Sequence, residues 1–261
     1  MSDPRCIVLD GAALARWPLP ALDGEGDKER RGRVLVIGGS REISGAALLA
    51  GEAALRAGAG KLVLAVPESV AAAMALHVPE ARVIPVAETS GGGLDPHSLE
   101  AVLECGESSD AVLVGPGMMD EAAVCAIMKA LSQRVGCPMV LDALALQAVA
   151  TCDFKAPVVM TPHAGEMAKL TGLEKAAVLA DPVAVAKDGA KRWRATVVLK
   201  GATTCIASGE SAWLHEANLP GLGTSGSGDV LAGLIAGFAA RGASPEQAAA
   251  WGVVLHAGAG R

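Results

Sequence analysis

An α/β fold, with a mainly parallel sheet covered by helices on both faces, is predicted by three observations. Short, continuously apolar runs recur along the 261 residues, and stretches of helical pattern separate them; strands buried on both faces read this way. Glycine, alanine and valine abound, while aromatics make up 2% and tyrosine is absent, a mix that suits close helix–sheet packing. Several apolar runs also end in glycine or a polar residue, at the strand ends where open α/β sheets bind ligands.

The elements follow in order. Residues 1–32 read as a leader, polar and charged over 24–32, and 33–261 as one domain without a composition break. Residues 33–38 form the first strand, and a helix over 44–58 is closed by Gly58 and Gly60. The second strand is 61–66, and Pro67 opens a helix reaching about His77. Strand 82–86 and helix 95–105 come next, then strand 110–114 ending in Gly115-Pro-Gly117, and helix 120–135. Strands 138–142 and 157–161 end at Asp142 and at Thr161-Pro-His163, the latter just before a helix. Helix 182–193 leads to strand 196–201, then to short antiparallel pieces at 204–207 and 211–215. Two helices close the chain, from about Asp229 and from Pro245.

Several classes of function are disfavoured. A formal charge of −6 without a basic run argues against general nucleic-acid binding. No apolar run reaches the length of a membrane span, and the N-terminus lacks a signal-peptide pattern. The six cysteines are scattered with no CxxC, as in a reduced cytoplasmic protein.

The chemistry concentrates in Gly223-Thr-Ser-Gly-Ser-Gly-Asp-Val-Leu-Ala-Gly233. A glycine-rich turn entering a helix bares backbone N–H groups, and with the helix dipole these make an anion site. Asp229 would stand where phosphate charge develops, which suits a base acting on a hydroxyl beside a phosphate; its alternative is an ordinary N-cap. Gly38-Gly-Ser40 opens another strand-to-helix loop, but it matches neither GxGxxG nor a Walker loop. His163 could meet a ligand, and Glu166 could hold a metal-bound water or cap the helix. Lys200, with Gly201, Ala202, Thr203 and Thr204, ends a strand as a phosphate-contacting stretch or as a solvated turn. Asn218 could orient substrate or form an Asx turn.

Together, Gly38-Gly-Ser40, Gly45-Ala46, Ala54-Leu-Arg-Ala-Gly-Ala-Gly60, Gly115-Pro-Gly117, Thr161-Pro-His-Ala-Gly-Glu166, Lys200-Gly201 and Gly226-Ser-Gly-Asp-Val-Leu-Ala-Gly233 carry a resemblance. From about residue 32 onward the chain resembles the ADP/ATP-dependent NAD(P)H-hydrate dehydratases of the ribokinase-like superfamily. The resemblance implies a three-layer sandwich and a repair reaction. A nucleotide phosphorylates the hydroxyl of hydrated NADH or NADPH, and loss of phosphate restores the coenzyme. It implies Asp229 as the catalytic acid–base group. It assigns Lys200–Thr204 with Gly226, Ser227 and Gly228 to ADP or ATP, and Ala46, Gly117, His163 and Asn218 to the hydrate. Mg2+ is implied with the phosphates, Glu166 being a weak outer-shell candidate, and so is a homo-oligomer such as a tetramer. The chain departs from the family pattern at Ser225 and Met118-Met119, and it stops at Arg261, soon after His256-Ala-Gly258. Two other functions fit the shared motifs: a kinase of a vitamin precursor or sugar, and a non-catalytic nucleotide sensor.

Overall fold

The computed structural model describes residues 6–21, 30–217 and 219–260. Its strands in chain order are β1 (Ile7–Val8), β2 (Arg33–Ile37), β3 (Lys61–Pro67), β4 (Ala81–Val86), β5 (Ala111–Val114), β6 (Met139–Leu141), β7 (Val158–Met160), β8 (Thr196–Leu199), β9 (Thr203–Ser208) and β10 (Ser211–Glu216). They form one sheet in the order β1-β10-β9-β8-β7-β6-β5-β2-β3-β4. From β8 to β4 all neighbours are parallel; β9 and β10 form an antiparallel hairpin.

The helices are α1 (Gly11–Ala15), α2 (Gly45–Arg56), α3 (Glu68–His77), α4 (Glu100–Glu107), α5 (Glu121–Arg134), α6 (Ala164–Thr171), α7 (Lys175–Ala180), α8 (Pro182–Trp193), α9 (Ser227–Ala240) and α10 (Pro245–Ala259). Alternate residues of each strand feed two separate cores. Leu35, Ile37, Val112 and Val114 pack with α4 to α8 on one face. Val34, Val36, Ala111 and Leu113 pack with α2, α3, α9 and α10 on the other. This is the mainly parallel sheet with helices on both faces read from the unbroken apolar runs, and its layers are those of the sandwich that the resemblance implies. Edge strand β4 alternates in exposure and tolerates Pro85, as an edge can.

The segment read as a leader contributes structure. β1 pairs with β10, Leu9 and Leu14 are buried, and the Trp17 ring stacks on Trp213 with centroids 5.7 Å apart. Trp251 Nε1 and Gln247 Nε2 of α10 donate to the carbonyls of Trp17 (2.8 Å) and Pro18 (2.7 Å), strapping the segment to that helix. Most of the charged stretch at 24–32 lies outside the described residues.

Some elements differ from the sequence reading. The helix expected from 95 begins at Glu100, because Asp95 Oδ1 accepts the His97 N–H at 2.9 Å and closes a local turn instead. A 3₁₀ segment at Ala143–Ala150 and helix α7 lie between expected elements. α9 begins at Ser227, so Asp229 belongs to its first turn and is not its N-cap.

Helices α2 and α9 approach through small residues. A Cβ added to Gly233 would stand 2.1 Å from the Ala50 carbonyl oxygen, and one on Gly237 would stand 2.5 Å from that of Ala54. Backbone is opposite both, so nothing flexible can yield. We expect Gly233→Ala to destabilise the protein by about 1–3 kcal/mol through overpacking, despite alanine's better helix propensity. An unchanged urea midpoint would contradict this account of the α2–α9 contact.

Candidate active site

The chain leaves β2 toward β3 on one side and returns to β5 on the other, so the sheet has a topological switch point there. The loops after β2 and β5 interlock. Gly39 N–H donates to the Pro116 carbonyl at 2.7 Å. Gly117 has φ +67, and a Cβ there would lie 2.3 Å from the Ile43 carbonyl and 2.8 Å from Ala46 Cβ. The positions Ala46 and Gly117 are thus adjacent, and glycine is required at the second for both space and backbone conformation.

Beyond the ends of β7 and β8 lies a cleft of about 590 Å³. His163, Lys200, Gly201, Ala202, Thr204, Ser227 and Gly228 all line it. Parallel strands explain the convergence: Lys200 N–H donates to the Pro162 carbonyl at 2.8 Å, tying the two strand ends together. The first turn of α9 closes the cleft from the side. Its N-cap is Gly226, with φ +87, and no side chain caps it. Ser227 N–H donates to the Thr224 carbonyl at 3.3 Å, and the N–H groups from Gly228 on supply the donor capacity that makes a helix start an anion site. Thr203 sits in β9 and Gly226 against Leu49 of α2, where an added Cβ would come within 2.6 Å of Leu49 Cδ1. Asn218 lies outside the described residues. A second hollow, of about 470 Å³, opens beside Pro157 and Thr196 at the opposite end of β7 and β8 and holds none of these residues.

Lys200 is not a free surface charge. Its Nζ lies 3.1 Å from Oδ1 of the buried Asp142, at the end of β6. Thr161 Oγ1 donates to the same oxygen at 2.6 Å. Lys200 also lies against the helix start, since a Cβ on Gly228 would sit 3.4 Å from Nζ. Asp229 is partly buried beside this pair. Burial, then the Asp142 charge, push its carboxyl above the ordinary 3.8, with Lys200 pulling it back. A partly desolvated carboxylate between a lysine and open backbone donors is equipped to take a proton from a hydroxyl next to phosphate.

His163 and Glu166 form a capping box. His163 Nδ1 accepts from the Gly165 and Glu166 N–H groups at 2.9 and 3.2 Å, and Glu166 Oε2 accepts from His163 N–H at 2.8 Å. The local reading of this pair is therefore realised, while His163 still lines the cleft. Among the described residues no group of three or more His, Cys, Asp or Glu could hold a metal ion.

Two site residues were not singled out by the sequence reading. Asp142 was noted only as a strand end; its pairing depends on the side-by-side placement of β6, β7 and β8. His256, in the last turn of α10, has Nε2 3.1 Å from Ser227 Oγ, and nothing local in the sequence signals that contact.

Comparison with known proteins agrees with this geometry. A family model described as NAD(P)H-hydrate dehydratase matches residues 34–261. The ADP-dependent (S)-NAD(P)H-hydrate dehydratase of Xanthomonas campestris is 49% identical, over 100% of this chain and 90% of that protein. The chain also matches bifunctional NAD(P)H-hydrate repair enzymes, spanning about half their length. Among solved structures, the ADP/ATP-dependent NAD(P)H-hydrate dehydratase of Bacillus subtilis, co-crystallised with ATP/Mg2+, is 29% identical with a TM-score of 0.82, covering 97% of this chain and 88% of that one. A ribokinase-like superfamily protein of Enterococcus faecalis is 25% identical with a TM-score of 0.86, over 98% and 88% of the two chains.

Proposed function

We propose that this chain, which belongs to the NAD(P)H-hydrate dehydratase family, is a lyase that uses ADP or ATP to dehydrate hydrated NADH or NADPH and restore the coenzyme. The observation that carries this reading is one group of neighbours: Lys200, Ser227 and Gly228 line a nucleotide-sized cleft, and Asp229, the next residue in the first turn of α9, lies beside the Lys200–Asp142 pair without itself lining that cleft.

In this reading the nucleotide occupies the cleft. Its phosphates meet the N–H groups of Gly228 and its neighbours, with Lys200 as the point charge and Gly201–Thr204 along the flank. The nicotinamide hydrate lies toward Ala46, Gly117 and His163, with its hydroxyl at Asp229. Asp229 takes the hydroxyl proton as the oxygen attacks the terminal phosphorus, and the bond from phosphorus to the bridging oxygen breaks. The weakly leaving hydroxyl becomes a phosphate ester. Its C–O bond then breaks, inorganic phosphate departs, and a proton lost from the neighbouring ring carbon completes the double bond. AMP or ADP is the other product. Mg2+, arriving with the nucleotide, would neutralise phosphate charge. The helix dipole and Lys200 stabilise the same charge from the protein side.

Further parts of the reading are a cytoplasmic location and a homo-oligomer. No helix among the described residues is long and apolar enough to cross a membrane.

The test is incubation with NADH hydrate and either ADP or ATP, following the reduced-nicotinamide absorbance. Return of that absorbance with stoichiometric inorganic phosphate is expected. A stable phosphorylated alcohol would favour a kinase of the same fold, and nucleotide binding without turnover would favour a sensor.

A further inference from the structure

Between α9 and α10 the contact is otherwise closely packed and apolar: a Cβ on Gly252 would stand 2.7 Å from Ile235 Cγ1. At the cleft it changes character. His256, partly buried in the last turn of α10, has Nε2 3.1 Å from Oγ of Ser227, the first residue of α9. Both residues line the cleft. The chemical steps proposed above use neither side chain. No side chain caps α9, and Gly226 before it adopts a φ of +87; the start of the helix is fixed by backbone alone, through Ser227 N–H to the Thr224 carbonyl at 3.3 Å and Val230 N–H to that of Gly226 at 3.0 Å, and the His256 contact is the side-chain tie added to it. The imidazole also adds no charge at neutral pH. Burial and the Lys200 charge lower its pKa from the ordinary 6.5, outweighing the hydrogen bond with the Ser227 backbone. It is thus a neutral hydrogen-bonding partner beside a lysine that carries the positive charge.

We infer that His256 is a positioning residue: by holding the Ser227 hydroxyl it sets the first turn of α9 that receives the nucleotide phosphates, and so acts on nucleotide affinity rather than on the chemistry at Asp229. This rests on the reading that ADP or ATP occupies the cleft.

The test uses the whole protein, with ADP titrated by calorimetry and turnover of NADH hydrate measured alongside. His256→Ala should raise the Kd for ADP about three- to tenfold, the worth of one neutral hydrogen bond. At saturating ADP, kcat should stay within about twofold, and the KM for hydrate should not move. His256→Gln, whose amide nitrogen can take the place of Nε2, should restore most of the affinity. Ser227→Ala should reproduce the part of this loss that the hydroxyl carries, since it leaves the hydrogen bond of His256 with the Ser227 backbone in place, and the double variant should lose no more than His256→Ala alone, because the hydroxyl bond is already gone there. An unchanged Kd in His256→Ala, failure of glutamine to restore it, or additive losses would each overturn the positioning role. Lys200→Ala separates that failure from a failure of the underlying reading. If Lys200→Ala weakens ADP while His256→Ala does not, only the positioning role falls. If neither variant shifts ADP, the nucleotide is not in this cleft and both fall.

Discussion

Asp229→Asn is expected to give a folded, nucleotide-binding protein that dehydrates NADH hydrate at least about a hundredfold more slowly, the lower end of what general base catalysis supplies. The substitution keeps the shape of the side chain and removes its charge. Two further consequences follow from the environment. Burial and Asp142 raise the Asp229 pKa above 3.8 in the folded state. The folded protein therefore holds this proton more tightly than the unfolded chain does. Ionising Asp229 then costs stability, a cost that appears as pH rises from its unfolded value through its raised folded value and persists at neutral pH. Asp229→Asn removes that cost, so the variant should unfold at an equal or higher temperature at pH 7. The difference should vanish in acid, below the ordinary aspartate range. The same raised pKa places the acid limb of kcat/KM above the usual position for an aspartate. Nucleotide affinity should persist or tighten, because a negative charge beside phosphate has gone. A variant that turns over hydrate at nearly the parent rate, or one less stable at pH 7, would contradict the role or the environment assigned to Asp229.

The fold was legible because burial leaves a plain mark on sequence. Val34 to Ile37 are buried on both faces and form an unbroken apolar run, and the same holds for β5 and for Val197 to Leu199 of β8. The glycine-rich entry to α9 was legible for a local reason: the turn, the first helical residue and Asp229 are consecutive. What escaped is non-local. The Lys200–Asp142 pair joins residues 58 apart, and the His256–Ser227 contact joins residues 29 apart. Neither follows until strand order and the α9–α10 packing are known. His163 and Glu166 show a different limit. Their spacing is that of a capping box, yet the cap is usually Ser or Thr; an imidazole nitrogen fills the acceptor role here. The same residues fitted a cap or a ligand contact, and spacing alone could not choose between them.

Lys200→Ala is expected to weaken nucleotide binding and the fold together, and the two losses can be separated. One charge-assisted phosphate contact is worth about 1.5–3 kcal/mol, so the Kd for ADP should rise by about ten- to a hundredfold. The loss for the hydrated coenzyme, which the proposed arrangement puts toward Ala46 and Gly117, should be smaller. Lys200 also neutralises Asp142, whose side chain is only 5% exposed. Removing one partner of a buried pair leaves an uncompensated charge, and here the cost should be about 3 kcal/mol, the low end for such pairs. Two features hold it there: Thr161 still donates to the carboxylate, and the Lys200 side chain is 21% exposed, which lets water screen it. Losing the lysine also removes the positive charge that lowers the Asp229 pKa. The acid limb of the residual activity should therefore move to higher pH. Lys200→Ala with Asp142→Asn supplies the decisive comparison. Neutralising the stranded carboxylate should recover most of the stability and return the acid limb toward the parent position, because the Asp142 charge that raises Asp229 has gone as well. It should recover none of the nucleotide affinity, since the phosphate contact is still missing. If the double variant regains ADP affinity, the effect of Lys200→Ala on binding came from disturbed structure, and Lys200 does not contact the phosphates.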